Sequence, residues 1–232
     1  MARRSRETDE ERRVRREEEK EKTVSDWVPR TEAGKKVKSG EITSLDDFFA
    51  KGFKVMEPEI VDALIPVLKD KLVDFKKTTR VTRQGRNFAF RASVLIGDGN
   101  SYIGIGTAKD KEKYPSITKA TRNAKLNMFK VRRGAGSWEE RSKGTHSVPF
   151  KVSGKSASVI VNLLPAPRGT GLVVGDKIKD VMKFAGVKDV WSKTKGNTGS
   201  TLDFVQAAIK ALAATNNVRY SDDFASKMEE SR

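Results

Sequence analysis

Arginines crowd around one glycine near the middle of this chain: Arg80, Arg83, Gln84, Gly85, Arg86 and Asn87 fall in a single short stretch. Planar guanidinium groups pair bidentately with phosphate oxygens or stack on bases, and a glycine among them lets the backbone approach a polyanion closely. The chemistry this predicts is recognition of phosphates and bases rather than bond making. Further cations repeat the theme downstream. Lys119, Arg122 and Lys125 recur at i, i+3 and i+6, which places them on one side of a helix. Arg132 and Arg133 open a basic, glycine-broken exit, and Lys109, Lys143, His146, Lys155 and Arg168 complete this set of candidate RNA contacts.

Charge placement supports the same chemistry. Residues 71–155 carry 20 positive and 6 negative side chains, whereas residues 26–70 carry 7 and 9, and residues 1–25 carry 9 and 8. Almost the whole net charge of +16 therefore sits in the middle of the chain. Such a concentration predicts a polyanionic partner, because neutralising phosphates releases condensed counterions. A membrane fits poorly, since no basic amphipathic helix with an aromatic face accompanies the charge. No apolar run approaches the roughly 18 residues that cross a bilayer, and the first residues have no apolar signal core. Without cysteine there is no disulfide, no thiol nucleophile and no cysteine-ligated zinc. A cytoplasmic setting with no cofactor or metal is the expectation.

The motifs that imitate enzyme sites fail on spacing and context. Gly104-Ile105-Gly106-Thr107-Ala108-Lys109 has two glycines of a dinucleotide fingerprint, but it lies on a strand and its third glycine is missing. A simpler reading has Ile103 and Ile105 facing one way, with Gly104 and Gly106 leaving the other face bare for a close-packed helix. Gly154-Lys155-Ser156 imitates the end of a phosphate-binding loop, yet the position five residues before Gly154 is Pro149. His146, the only histidine, has no evident partner for a catalytic triad and reads as a surface contact or a loop-packing group.

The elements that must carry the cations follow from periodicity. Residues 1–25 contain almost nothing to bury and read as a solvating tail or as a charged segment that orders on an anionic surface, through Arg3, Arg4, Arg12, Arg13, Arg15 and Arg16. Residues 27–40 read as an extended arm anchored by Trp27. Ser44 caps a short helix over residues 45–49, and Pro58 opens another that Pro66 ends or kinks. A first strand spans residues 72–82. Phe88, Phe90, Ala92, Val94 and Ile96 then alternate as on a half-buried strand, with Leu95 as an apolar intruder. The turn Gly97-Asp98-Gly99-Asn100 leads to a third strand, and a helix over residues 117–131 buries Ile117, Ala120, Ala124 and Met128. After an irregular loop at residues 134–146 holding Trp138, the alternation Val148, Phe150, Val152 opens a second unit. Residues 156–164 read as a central strand, residues 189–193 as a short one, and two helices carry Ile178, Val181, Met182, Ala185 and Leu202, Val205, Ile209, Leu212. Ser200 with Asp203 resembles a capping box for the second. The three-strand segment with its cationic helix suits a unit that straddles an RNA groove by shape.

These residues resemble a known family. The runs G-R-N-F-A-F-R-A-S-V-L-I-G-D-G-N-S-Y-I-G-I-G-T-A-K, H-S-V-P-F-K-V-S-G-K, L-L-P-A-P-R-G-T-G-L-V-V-G-D and A-G-V-K-D-V-W-S-K-T-K-G-N are similar to the small-subunit ribosomal protein of universal family five, over roughly residues 57–215. The loop Pro165-Ala166-Pro167-Arg168-Gly169-Thr170-Gly171 and the long N-terminal extension look like its archaeal and eukaryotic branch. The resemblance implies an α+β protein: a charged extension and arm (1–56), a double-stranded RNA-binding-like domain of order α-β-β-β-α (57–133), a linker loop (134–146), a C-terminal two-layer α/β domain similar to the small-molecule kinase type (147–215), and a peripheral tail (216–232). It implies a structural, non-enzymatic role in the small ribosomal subunit, beside the channel through which mRNA enters, where the family supports mRNA unwinding and decoding accuracy. The implied partners are small-subunit rRNA, mRNA, and ribosomal proteins of universal families three, four and eight. Carried over by resemblance, Arg80, Arg83, Gly85 and Arg86 form the RNA-contacting hairpin loop, and Lys193, Lys195 and Asn197 form a second contact. Two other readings stay open: a kinase-like enzyme binding a nucleotide near Gly169 and Gly171, and an RNA chaperone acting off the ribosome.

Overall fold

The structure, a computed structural model, describes residues 25–65, 67–140 and 144–217. The arginines before residue 25, Pro66, Lys143 and the tail after residue 217 lie outside the described residues. The chain divides into two compact units, with the boundary between residues 66 and 67.

In the first unit, the stretch expected to be an extended arm contains a helix, α1 (Glu32–Lys38), whose N-cap Thr31 accepts from the Gly34 N–H. Sequence pattern hid it because Gly34 interrupts the apolar periodicity. That glycine is needed: a Cβ there would meet Pro29 and the Trp27 ring at 3.0 Å. Ser44 caps α2 (Leu45–Ala50) as expected, accepting from the Asp47 N–H, and Pro58 opens α3 (Pro58–Leu64). Helix α3, which sequence order puts at the head of the three-strand segment, packs on α1 inside this first unit. Trp27, Ile42, Phe48, Val55, Ile60 and Val61 are buried.

The second unit holds two four-stranded sheets. Strands β1 (Lys69–Thr82), β2 (Gly85–Gly97), β3 (Tyr102–Asp110) and β4 (Phe129–Lys130) form an antiparallel meander, with α4 (Lys113–Leu126) between β3 and β4. Helix α4 starts before residue 117, where the sequence pattern opened it, and ends before Met128, where the chain turns back to pair with β3. Gly104 and Gly106 do what their bare face predicted, since a Cβ on either would overlap the α4 backbone at Ala120 or Ala124. The second sheet has the order β5-β6-β8-β7, from β5 (Val152–Ser156), β6 (Val159–Pro165), β7 (Leu172–Val173) and β8 (Val190–Lys195), with α5 (Asp176–Phe184) and α6 (Thr201–Ala214). The single strand expected over residues 156–164 begins only at Val159, after a turn in which Ala157 has a φ of 51°. Of the alternation at Val148, Phe150 and Val152, only Val152 lies in a strand. Strand β7 escaped sequence reading because two residues are too few to show a period.

Leu95 is no intruder. Fully buried, it joins Ile103 and Val131 from the first sheet to Val161, Leu163, Met182, Val205 and Leu212 in one hydrophobic core. Ala92 to Ile96 are all buried because the inner half of β2 is covered on both faces, by α4 on one and by the C-terminal lobe on the other. The outer half of the same strand, from Gly85 to Phe88, is exposed on both.

Candidate nucleic-acid interface

The β1–β2 hairpin outruns the body of the protein. Its pairing continues through Thr79 with Phe88, Arg80 with Asn87, Val81 with Arg86 and Thr82 with Gly85, so only Arg83 and Gln84 form the turn. Arg86, which the resemblance puts in the hairpin loop, therefore stands on a strand, as do Arg80 and Asn87. Arg83 and Gln84 both keep negative φ, so the turn is not of the primed two-residue type, and it is Gly85, with φ at 122°, that takes a backbone conformation L side chains rarely adopt. Nothing lies within 4 Å of where its Cβ would be, which leaves the backbone open to approach. Thr82 Oγ1 donates to the Gly85 carbonyl at 3.0 Å and closes the tip. Residues 75–91 contain six cations and no acid. At the root, Asp74 lies 3.5 Å from Lys76 and 3.6 Å from Arg91, so charge is compensated there and uncompensated at the tip. Lys109, opposite Arg91 in the register, is exposed on the neighbouring strand.

Helix α4 adds a weaker cationic side. Arg122 is exposed and Lys125 is half-buried. Lys119 Nζ sits 2.6 Å from Asp110, and its hydrogen bond, aided by the Lys111 N–H, holds the Asp110 carboxyl below the usual aspartate range. Arg132 is exposed. Arg133 does a different job from the one expected of it: its guanidinium donates to the Gly186 carbonyl at 3.1 Å and to Asn100 Oδ1 at 2.7 Å, fastening the first sheet to the end of α5.

A second cationic face becomes visible only through strand register. Lys155 pairs with Ile160, which pairs in turn with Lys195, and Asn162 pairs with Lys193. Three lysines, one from β5 and two from β8, thus share the face of the second sheet opposite the buried Gly154, Val159 and Val161. Asn197 is exposed in the turn that follows.

The remaining candidates are tied into the loops around Glu140 and Asp189. His146 is 8% exposed, with Nε2 3.2 Å from Glu140 Oε2 and 4.0 Å from Asp189 Oδ2, so it packs a loop instead of facing a partner. Arg168 is exposed, but its backbone N–H donates to Glu140 at 2.7 Å and its Nε lies 3.9 Å from the same carboxylate. The Gly169 and Gly171 N–H groups, which a nucleotide phosphate would need, both donate to Asp189 Oδ1, at 3.1 and 2.8 Å. Asp189 is buried and is a carboxylate anchor that sequence reading missed; an isolated aspartate before a strand carries no signal of its own.

A two-lobed α+β chain with an acid-free cationic ribbon and a lysine-faced sheet belongs to the class of nucleic-acid-binding scaffolds. Residues 68–132 match the family Ribosomal protein S5, N-terminal domain, and residues 154–227 match Ribosomal protein S5, C-terminal domain. Similar proteins carry the name small ribosomal subunit protein uS5. That of Methanobrevibacter smithii is 46% identical over 205 residues, covering 88% of this chain and 96% of the relative. That of Staphylothermus marinus is 49% identical over 189 residues, covering 82% and 88%. That of Hyperthermus butylicus is 51% identical over 191 residues, covering 82% and 90%. The chain belongs to the ribosomal protein S5 family, a structural and non-enzymatic one.

Proposed function

We propose that this protein is a structural constituent of the small ribosomal subunit in the cytoplasm, where its two cationic faces hold rRNA segments in one geometry beside the channel through which mRNA enters. The carrying observation is the hairpin tip, where Arg80, Arg83 and Arg86 stand exposed with no carboxylate between residues 75 and 91. Converging guanidinium groups on a rigid ribbon neutralise phosphates and release counterions. The meander of three long strands and the short β4, with α4 on one face, is the arrangement expected of a double-stranded RNA-binding-like lobe, and the C-terminal lobe that of the small-molecule kinase type. In this reading the tip and the lysine face of the second sheet support mRNA unwinding and decoding accuracy, with ribosomal proteins of universal families three, four and eight as neighbours. A kinase activity is disfavoured, because the amides of Gly169 and Gly171 are already engaged by Asp189.

The test is the double variant Arg83→Ala/Arg86→Ala. Filter binding to small-subunit rRNA across a salt series should show weaker binding and a log–log salt slope shallower by about 1–2 units. The thermal midpoint should stay near that of the parent, since neither side chain packs in the core. Unchanged affinity, or a variant that unfolds, would refute the assignment of these arginines to RNA.

A further inference from the structure

The two faces of the exposed hairpin differ in chemistry. Alternation puts Arg80, Thr78 and Lys76 of β1 with Asn87, Ala89 and Arg91 of β2 on one face, which is polar and basic. The other face carries Val81, Thr79 and Lys77 with Arg86, Phe88 and Phe90. On it Phe88 is 49% exposed and Val81 74% exposed, beyond the reach of either lobe's core. Lys77 Nζ sits over the Phe88 ring, 3.8 Å from its centroid, while Phe90 stacks on Phe75 nearer the root with ring centroids 5.6 Å apart.

Resting on the RNA-binding reading above, we infer that the face bearing Phe88 is a stacking platform for an unpaired nucleotide of RNA, with Phe88 taking the base, Val81 bordering it, and Lys77 and Arg86 taking the flanking phosphates. An aromatic ring offers a base the same π-face whatever its identity, so the site selects single-stranded structure over sequence. Lys77 is placed to exchange partners: its ammonium lies on the ring in the free protein and moves to the phosphate when a base takes its place. A protein partner fits less well, because two isolated apolar side chains are too small a patch for a protein interface and every charged neighbour on the ribbon is positive. The opposite face, with Arg80 and Asn87, is left to grip the backbone of structured RNA. One ribbon thus wedges between paired and unpaired segments.

The experiment titrates the full chain into a single-stranded RNA of about a dozen nucleotides carrying one 2-aminopurine, and into the same RNA fully duplexed. In the parent, the single strand binds with a change in 2-aminopurine emission. Phe88→Leu should weaken single-strand binding by roughly tenfold and abolish the emission change while leaving duplex binding and the circular dichroism spectrum unaltered, and Phe88→Tyr should restore both signals. Val81→Ala, which leaves the ring in place, should weaken single-strand binding less than Phe88→Leu. Equal single-strand binding by Phe88→Leu and parent would overturn the platform. If Arg83→Ala/Arg86→Ala loses RNA while Phe88→Leu does not, the RNA-binding function stands and the platform falls; if neither changes, both fall. Loss of Phe88→Leu from reconstituted subunits with normal binding to free RNA would assign the face to a protein and also refute the inference.

Discussion

Gly106 shows how much one residue decides. It lies opposite Val94 in the register, directly beneath α4, and a Cβ there would overlap both the Ala120 carbonyl oxygen and the Ala124 nitrogen. Backbone cannot yield as a flexible side chain would, so Gly106→Ala should destabilise the second unit by about 3 kcal/mol or more. Urea denaturation followed by circular dichroism measures this, and a loss below about 1 kcal/mol would mean that α4 shifts freely. Its bare face was legible in the sequence, because alternation with Ile103 and Ile105 leaves nothing else for the glycines to do. By contrast, the approach of His146 to Asp189 and the anchoring of Gly169 and Gly171 by Asp189 join loops 18 or more residues apart that meet only in the fold.

At the scale of elements, the first unit is held by a carboxylate where no disulfide is available. Glu57 accepts from the Trp27 indole N–H at 2.8 Å, the Thr31 N–H at 2.7 Å and the Arg30 N–H at 3.0 Å, tying the segment before α1 to the start of α3. Burial alone would raise its carboxyl, but the hydrogen bonds from Thr31, Arg30 and Trp27 together outweigh it and hold the group below the ordinary glutamate range. A lowered value in the folded state means that the stabilisation is present above the unfolded glutamate value and is lost as pH falls through the folded one. Protection of the Arg30 and Thr31 amides against hydrogen exchange should therefore weaken on acidification below the glutamate range, and Glu57→Gln should lower it already at neutral pH. Protection in Glu57→Gln equal to the parent's would show that the carboxylate is incidental. The caps at Ser44 and Pro58 were readable because capping is local chemistry. The helix at Glu32–Lys38 was not, since its reason for forming, the packing of Gly34 under Trp27, is tertiary.

In the second unit as a whole, the two sheets do not own separate cores. Leu95 and Ile103 of the first sheet are fully buried in the same cluster as Val161, Leu163, Met182 and Leu212 of the C-terminal lobe. Leu95→Ala should remove about 2–4 kcal/mol through lost burial and a residual cavity, and calorimetry should show residues of both lobes melting together in one transition at a lower midpoint. Two separated transitions would show that the lobes fold independently. Sequence alone determined the three long strands of the first sheet and the helix after them, the position of the hairpin, the concentration of positive charge and the family, because turns, periodicity and charge are local properties. It left Leu95 unexplained, since a period of two reports one buried face and this strand has two. Only the tertiary structure decided which cations are free. It engaged Arg133 in a structural clasp, turned His146 inward, left the arginines of the tip uncompensated, and gathered Lys155, Lys193 and Lys195 on one face, because pairing register joins residues far apart in the chain.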